Sequence, residues 1–173
     1  MRQLLSITHL DSGIGELSNE DIDLDALLQS VAHDANYEGA NHGKSVHCAG
    51  RCAAHVTGDR AMLKSGIENI VRNMITHTPP APTVAVILGL DRENVATISV
   101  RDNGPGVPEE LIEELFKPFV RGDYARDRRT VGYGIGFAIA DAAVKRHTGT
   151  ILARNISGGG FCVEIRLPVD QEN

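Results

Sequence analysis

Tryptophan is absent from this 173-residue sequence, and aromatic residues together make up only 4% of it. Its core must therefore rest on Leu, Ile, Val and Ala. Cysteine is scarce too. Three residues cannot complete the paired framework of a small secreted domain, and a reducing cytoplasm suits them better. No apolar run approaches the ~20 residues that cross a bilayer. No basic-then-apolar leader is present either, so neither export nor membrane contact is expected of this segment. Positive charge is outweighed, 17 Lys and Arg against 23 Asp and Glu for a net charge of -6, which argues against a nucleic-acid partner. What remains is ordinary for a soluble domain: 42% hydrophobic and 23% charged residues, enough for one core.

Periodicity divides the chain into short elements. Leu4, Leu5, Ile7 and Leu10 suit one face of a short helix that Asp11–Gly15 stops. A second helix is predicted from Asp23, with Leu24, Leu27, Leu28, Val31 and Ala35 on one side. Strand-like pieces follow at Ser45–Ala49 and Ala53–Thr57, and Gly58-Asp59 opens a third helix over Arg60–Thr76. In that helix Leu63, Ile67, Ile70, Val71 and Met74 form an amphipathic stripe, which Asn69 and Asn73, four apart, border. Thr78-Pro-Pro-Ala-Pro82 ends it. Thr83–Leu90 and Val95–Arg101 read as a hairpin, and Pro108–Phe116 as a brief helix. A charged stretch over Lys117–Val131 precedes a helix over Phe137–Arg146, and Thr150–Asn155 with Phe161–Leu167 form a last hairpin. Paired strands argue against a parallel doubly wound sheet and for an α+β fold, a two-layer α/β sandwich.

Three segments carry chemistry together: Asn69-x-x-x-Asn73, Asp102-x-Gly-x-Gly106 and Gly132-x-Gly-x-Gly136. A carboxylate opening a glycine turn can accept a hydrogen bond from an amino group. Glycines opening a helix bring bare backbone N–H groups close to phosphates. A neutral amide oxygen nearby can ligate Mg²⁺ without adding anionic repulsion. The combination describes a nucleotide site without a Walker lysine. Gly39-Ala-Asn-His-Gly43-Lys44-Ser45 is a poor P-loop, with three residues between its glycines and a helix before it. The Gly132 series has Phe137 where the dinucleotide fingerprint needs a third glycine. His47, Cys48, Cys52 and His55 have a looser spacing than a zinc knuckle and read as surface and core residues, as Cys162 reads as a small buried one.

The sequence resembles the catalytic and ATP-binding domain of bacterial sensor histidine kinases, in the superfamily shared with DNA gyrase and MutL. Ile67–Asn73 resembles the N box, Asp102–Gly106 the G1 box, Phe116–Arg121 the F box and Gly132–Gly136 the G2 box, with Leu167-Pro168 closing the series. The resemblance implies a mixed sheet on three helices with a mobile ATP lid, over residues 23–169. Residues 1–15 would end a dimerisation and phosphoacceptor hairpin, 16–22 would be a linker, and 170–173 a tail. Asp102 would receive the adenine amino group, and Gly104, Gly106 and Val107 would pass beneath the base. Asn73 would ligate Mg²⁺ with Asn69 beside it, the two forming the catalytic pair, and His77 would line the pocket. Gly132, Gly134, Ile135, Gly136 and Phe137 would face the phosphates. Lys117 and Arg121, with Arg126, Arg128 and Arg129, would neutralise charge from the lid. Implied partners are a helical domain bearing the phosphorylatable histidine and a response-regulator receiver domain. The parent would be an inner-membrane sensor with this part in the cytoplasm.

Water-activating members of the superfamily have glutamate at the first N-box position. Here it is Asn69, which cannot take a proton, so transfer is expected rather than hydrolysis. Departures from the pattern are Thr76 in place of Lys or Arg, His77 in place of Tyr or Phe, and Val131 in place of glycine. They motivate an alternative, a nucleotide-sensing module without transferase activity. None of the seven histidines has the phosphoacceptor pattern of His, then Asp or Glu, then a nearby Pro; His33-Asp34 begins it but lacks the proline. The chain is therefore expected to bind ATP without phosphorylating itself, as a piece of a longer protein.

Overall fold

The computed structural model describes residues 18–39, 45–77, 83–118 and 135–170. The helix expected near the start, the Pro-rich turn after Thr78, and positions 119–134, including Arg121, Arg126, Arg128, Arg129, Val131, Gly132 and Gly134, lie outside them, as does the side chain of His77. The elements are β1 (Glu20–Asp23), α1 (Leu24–Gly39), β2 (Ser45–Ala49), β3 (His55–Gly58), α2 (Arg60–His77), β4 (Thr83–Leu90), β5 (Val95–Asp102), α3 (Glu109–Ile112) running into a 3₁₀ turn (Glu113–Phe116), α4 (Gly136–Arg146), β6 (Thr150–Asn155) and β7 (Phe161–Pro168).

Five strands form one mixed sheet in the order β2-β4-β5-β7-β6, parallel between β2 and β4 and antiparallel elsewhere. Alternation along the strands aligns rows across it. Leu88, Ile98, Ile165 and Ile151 form one row, and Val86, Val100, Val163 and Ala153 the next. Val86, Leu88, Ile98, Val100, Val163 and Ile165 are almost wholly buried. The stripe of α2 meets this layer: Leu63, Ile67, Ile70, Val71 and Met74 are each at most 2% exposed. Helices on one face of a largely antiparallel sheet make the α+β sandwich the strand pairing indicated.

Residues 20–23 are a strand, and one local expectation, that strands come in sequential pairs, is corrected: the two strand-like pieces beyond α1 do not pair with each other. Instead β3 joins β1 in a separate antiparallel ribbon, while β2 joins the main sheet. Gly50 separates them with φ +77°, and a Cβ there would lie 2.1 Å from the Leu88 carbonyl oxygen. The chain thus leaves the sheet against a backbone that only glycine can approach.

Side-chain oxygens start the long helices. Asp23 Oδ1 accepts from Ala26 N at 3.1 Å, and Asp59 Oδ1 from Met62 N at 2.8 Å. Between α1 and α2, Lys64 Nζ lies 2.7 Å from Asp34 Oδ2 and 3.4 Å from Glu68 Oε1. The hydrogen bond from Lys64 holds the Asp34 carboxyl below the usual carboxylate range, and the same bond raises the Lys64 ammonium. His55 Nδ1 meets Asp21 Oδ1 at 2.9 Å, and the Cys48 thiol donates to Leu28 O at 3.4 Å. Among the described residues, no helix is long and apolar enough to cross a membrane.

Candidate functional site

Small residues let α2 and α4 approach each other. A Cβ on Gly66 would lie 3.0 Å from Ala143 Cβ and 3.3 Å from Ala140 Cα, so the helices meet through Gly66, Ala140 and Ala143. Glycine inside a helix costs about 1 kcal/mol relative to alanine, and here it permits the contact. Asn69 and Asn73 continue the Gly66 face of α2 at offsets of three and seven. Gly136 lies one turn before Ala140 on α4. The close seam therefore brings the asparagines to the start of α4. A Cβ on Gly136 would lie 2.5 Å from Asn73 Nδ2 and 3.5 Å from Asn69 Oδ1.

Asn69 is 6% exposed and its Nδ2 donates to Ser65 O at 2.8 Å. That bond leaves Oδ1 on the side of Gly136. Glu68 turns the other way, towards Lys64 and α1. Around the asparagines the site thus holds neutral amides, and the neighbouring carboxylate is paired elsewhere.

The start of α4 has the chemistry to receive an anion. Ile135 occupies the N-cap, and among the described residues no side chain caps the helix there. An aliphatic residue cannot satisfy the first N–H groups, which Ser, Thr, Asp or Asn would normally do. Those donors lie at the positive end of the helix, beside two amide side chains. Neutral oxygens near an anion-binding terminus fit a divalent cation carried in by phosphates.

The second half of the site is the turn after β5. Asp102 Oδ1 accepts from Gly104 N at 2.8 Å and from Phe161 N at 3.2 Å. Gly106 has φ +81°, the left-handed conformation a glycine supplies at no steric cost. Val107, which follows it, is half-buried against the core. Beyond this turn the rings of Phe116 and Phe137 pack edge to face at 5.9 Å, joining the end of the 3₁₀ turn to the first turn of α4. Lys117 is exposed and pairs with Glu114.

Asn69, Asn73, Gly136 and Phe137 are thus brought to one end of the α2–α4 seam. Asp102, Gly104, Gly106 and Val107 share one turn at the end of β5. Two residues that hold these parts carry no motif. Asn155, the last residue of β6, bonds Val107 N at 2.9 Å and Val107 O at 2.7 Å. Buried His147 donates from Nδ1 to Ala143 O at 2.7 Å, while its Nε2 accepts from Asp59 N at 3.0 Å. It fastens the end of α4 to the start of α2. For Asn155, the available signal was a polar residue ending a strand before three glycines.

Residues 58–171 match the sequence pattern of the histidine kinase-, DNA gyrase B- and HSP90-like ATPases. The chain belongs to this family. Similar proteins include the probable sensor histidine kinase TcrY of Mycobacterium tuberculosis, 34% identical over 170 residues, covering 98% of this chain and 35% of TcrY. The sensor histidine kinase CpxA of Escherichia coli K12 is 35% identical over 156 residues, covering 88% of this chain and 33% of CpxA. The chain thus spans about a third of the length of these relatives. In fold it is similar to full-length ShkA in complex with AMPPNP, with TM-score 0.83 and 23% identity over 99% of this chain and 35% of ShkA. It is also similar to the mycobacterial sensor histidine kinase MprB, with TM-score 0.76 and 22% identity over 89% of this chain and 99% of that one. The ATPase domain described above is the ATP-binding catalytic domain of the sensor histidine kinase type.

Proposed function

We propose that this domain holds Mg·ATP between the Asp102 turn and the start of α4, and passes the γ-phosphoryl group to a histidine on a separate helical domain. The observation that carries the reading is the meeting of Asn69 and Asn73 with the start of α4 at Gly136, which no side chain among the described residues caps. Bound there, magnesium would neutralise phosphate charge and orient the transferred group. Asn73 would hold it, with Asn69 Oδ1 beside it, and the N–H groups from Ile135 to Phe137 would bind phosphate oxygens. Gly132 and Gly134 would extend that cradle, and Lys117 with Arg121 would reach it from the lid. Asp102 would accept the adenine amino group through Oδ2 while its Oδ1 stays engaged with backbone, and His77 would border the base.

Hydrolysis needs a group that takes a proton from water, and neither amide can do so. An incoming neutral imidazole brings its own lone pair, so positioning and charge neutralisation suffice for transfer. The parent protein would then be a sensor kinase acting on a response regulator from the cytoplasmic side of a membrane, with residues 1–15 ending its phosphoacceptor hairpin.

Mixing the domain with γ-labelled ATP and a histidine-bearing hairpin from its own parent protein should place label on the imidazole. ATP binding without such label would overturn the transfer reading. Asp102→Ala is expected to weaken ATP binding by about 1.5–3 kcal/mol, one to two decades. Calorimetry showing unchanged affinity would reject the assignment of the base to this carboxylate.

A further inference from the structure

The turn that holds the base is gripped at both ends by one cross-strand pair. Asn155 ends β6 and Phe161 begins β7, and the two are register partners. At the near end of the turn, Phe161 N donates to Asp102 Oδ1 at 3.2 Å. At the far end, the Asn155 carboxamide closes a two-bond ring with Val107, accepting from its N–H at 2.9 Å and donating to its carbonyl at 2.7 Å. That ring needs one donor and one acceptor in a single plane, which a primary amide supplies and a carboxylate does not. The fit is tight. A Cβ on Gly106 would lie 2.5 Å from Asn155 Oδ1, and one on Gly160 would lie 2.4 Å from the Asp102 carbonyl oxygen.

We infer that Asn155 is a positioning residue for nucleotide recognition, which fixes the Gly106–Val107 end of the turn and thereby aims Asp102 at the base. The inference rests on the ATP-site reading above. The fold also contains a counterpart that separates aiming from bracing. Asn36 makes the same two-bond ring with Val46, donating to its carbonyl and accepting from its N–H, both at 2.8 Å, on strand β2. It braces an edge of the sheet and touches no part of the Asp102 turn.

Asn155→Leu should lower affinity for a non-hydrolysable ATP analogue about tenfold, the scale of one or two neutral hydrogen bonds. The preference for adenine over guanine nucleotides should fall with it. In an Asp102→Ala background the same substitution should cost less than about threefold, because the carboxylate it aims is gone. Asn155→Asp, which keeps the acceptor and sets a second oxygen against the Val107 carbonyl, should show the same losses and serves where the leucine variant does not fold. Asn36→Leu should lower the unfolding midpoint while leaving affinity and base preference unchanged.

Affinity within about twofold of the parent for both Asn155 variants, with Asp102→Ala still at least tenfold weaker, would overturn the inference and leave the nucleotide site standing. Full additivity of Asn155→Leu with Asp102→Ala would overturn it as well. An Asp102→Ala domain that binds like the parent would instead remove the site reading, and the inference with it.

Discussion

Asn73→Ala is expected to lower magnesium-dependent phosphoryl transfer by about two to three decades, the scale on which one charge-stabilising group in a water-excluded site acts. The size follows from where the side chain stands. Asn73 Nδ2 would lie 2.5 Å from a Cβ on Gly136, so its carboxamide borders the N–H groups that open α4, which no side chain among the described residues caps. Alanine leaves that helix terminus, the proposed phosphate site, in place and removes the amide oxygen proposed to hold the cation. Nucleotide should therefore still bind, more weakly, while transfer collapses. Asn73→Asp should fall between the two: it keeps a ligand oxygen but adds a negative charge facing the phosphates. The measurement is label transfer to the histidine hairpin under single-turnover conditions, with the unfolding midpoint followed in parallel. Asn73 is half-buried and the stripe that packs α2 lies on Leu63, Ile67, Ile70, Val71 and Met74. The midpoint should therefore move little. Transfer at the parent rate would show that the γ-phosphoryl group is managed without this amide.

What could be read before folding followed from periodicity and from residues with a single chemical use. The α2 stripe, the β4–β5 hairpin and the β6–β7 hairpin were legible because burial on one face imposes a period of 3.6 or 2. The asparagine pair and the Asp102 turn are each weak signals alone, and they were singled out only by their order with the Gly132 series along the chain. The same reading could not find β1. Glu20-Asp-Ile-Asp23 buries only Ile22, and its strand conformation comes from pairing with β3, a distant partner. Nor could it separate β2 from β3, because the steric conflict at Gly50 is with Leu88, thirty-eight positions away. Asn155 and His147 belong to the same class. Each is one polar residue whose role is set by a partner 48 or 88 positions distant, and no local pattern encodes that pairing.

Gly160→Ala should be among the most destabilising single substitutions in the domain, at about 2–5 kcal/mol, from left-handed strain of ~1–2 kcal/mol and overpacking of ~1–3 kcal/mol. Whole domains of this kind are stable by only about 5–15 kcal/mol. The three glycines of the β6–β7 turn allow these contributions to be separated. Gly158, Gly159 and Gly160 all have positive φ, at 92°, 112° and 105°. At Gly158 a Cβ would meet nothing within 4 Å, and at Gly159 only the Gly104 carbonyl oxygen at 3.9 Å. At Gly160 it would meet the Asp102 carbonyl oxygen at 2.4 Å. That neighbour is backbone, in the residue where β5 ends and the proposed base-binding turn begins, so it cannot step aside as a side chain could. Gly158→Ala should then show the conformational penalty alone. Gly160→Ala should show the larger loss in denaturant midpoint, together with weaker ATP-analogue binding as the Asp102 turn is pushed outward. Equal stabilities for the two variants would mean that the β6–β7 turn yields freely at Gly160 and does not press on the Asp102 carbonyl.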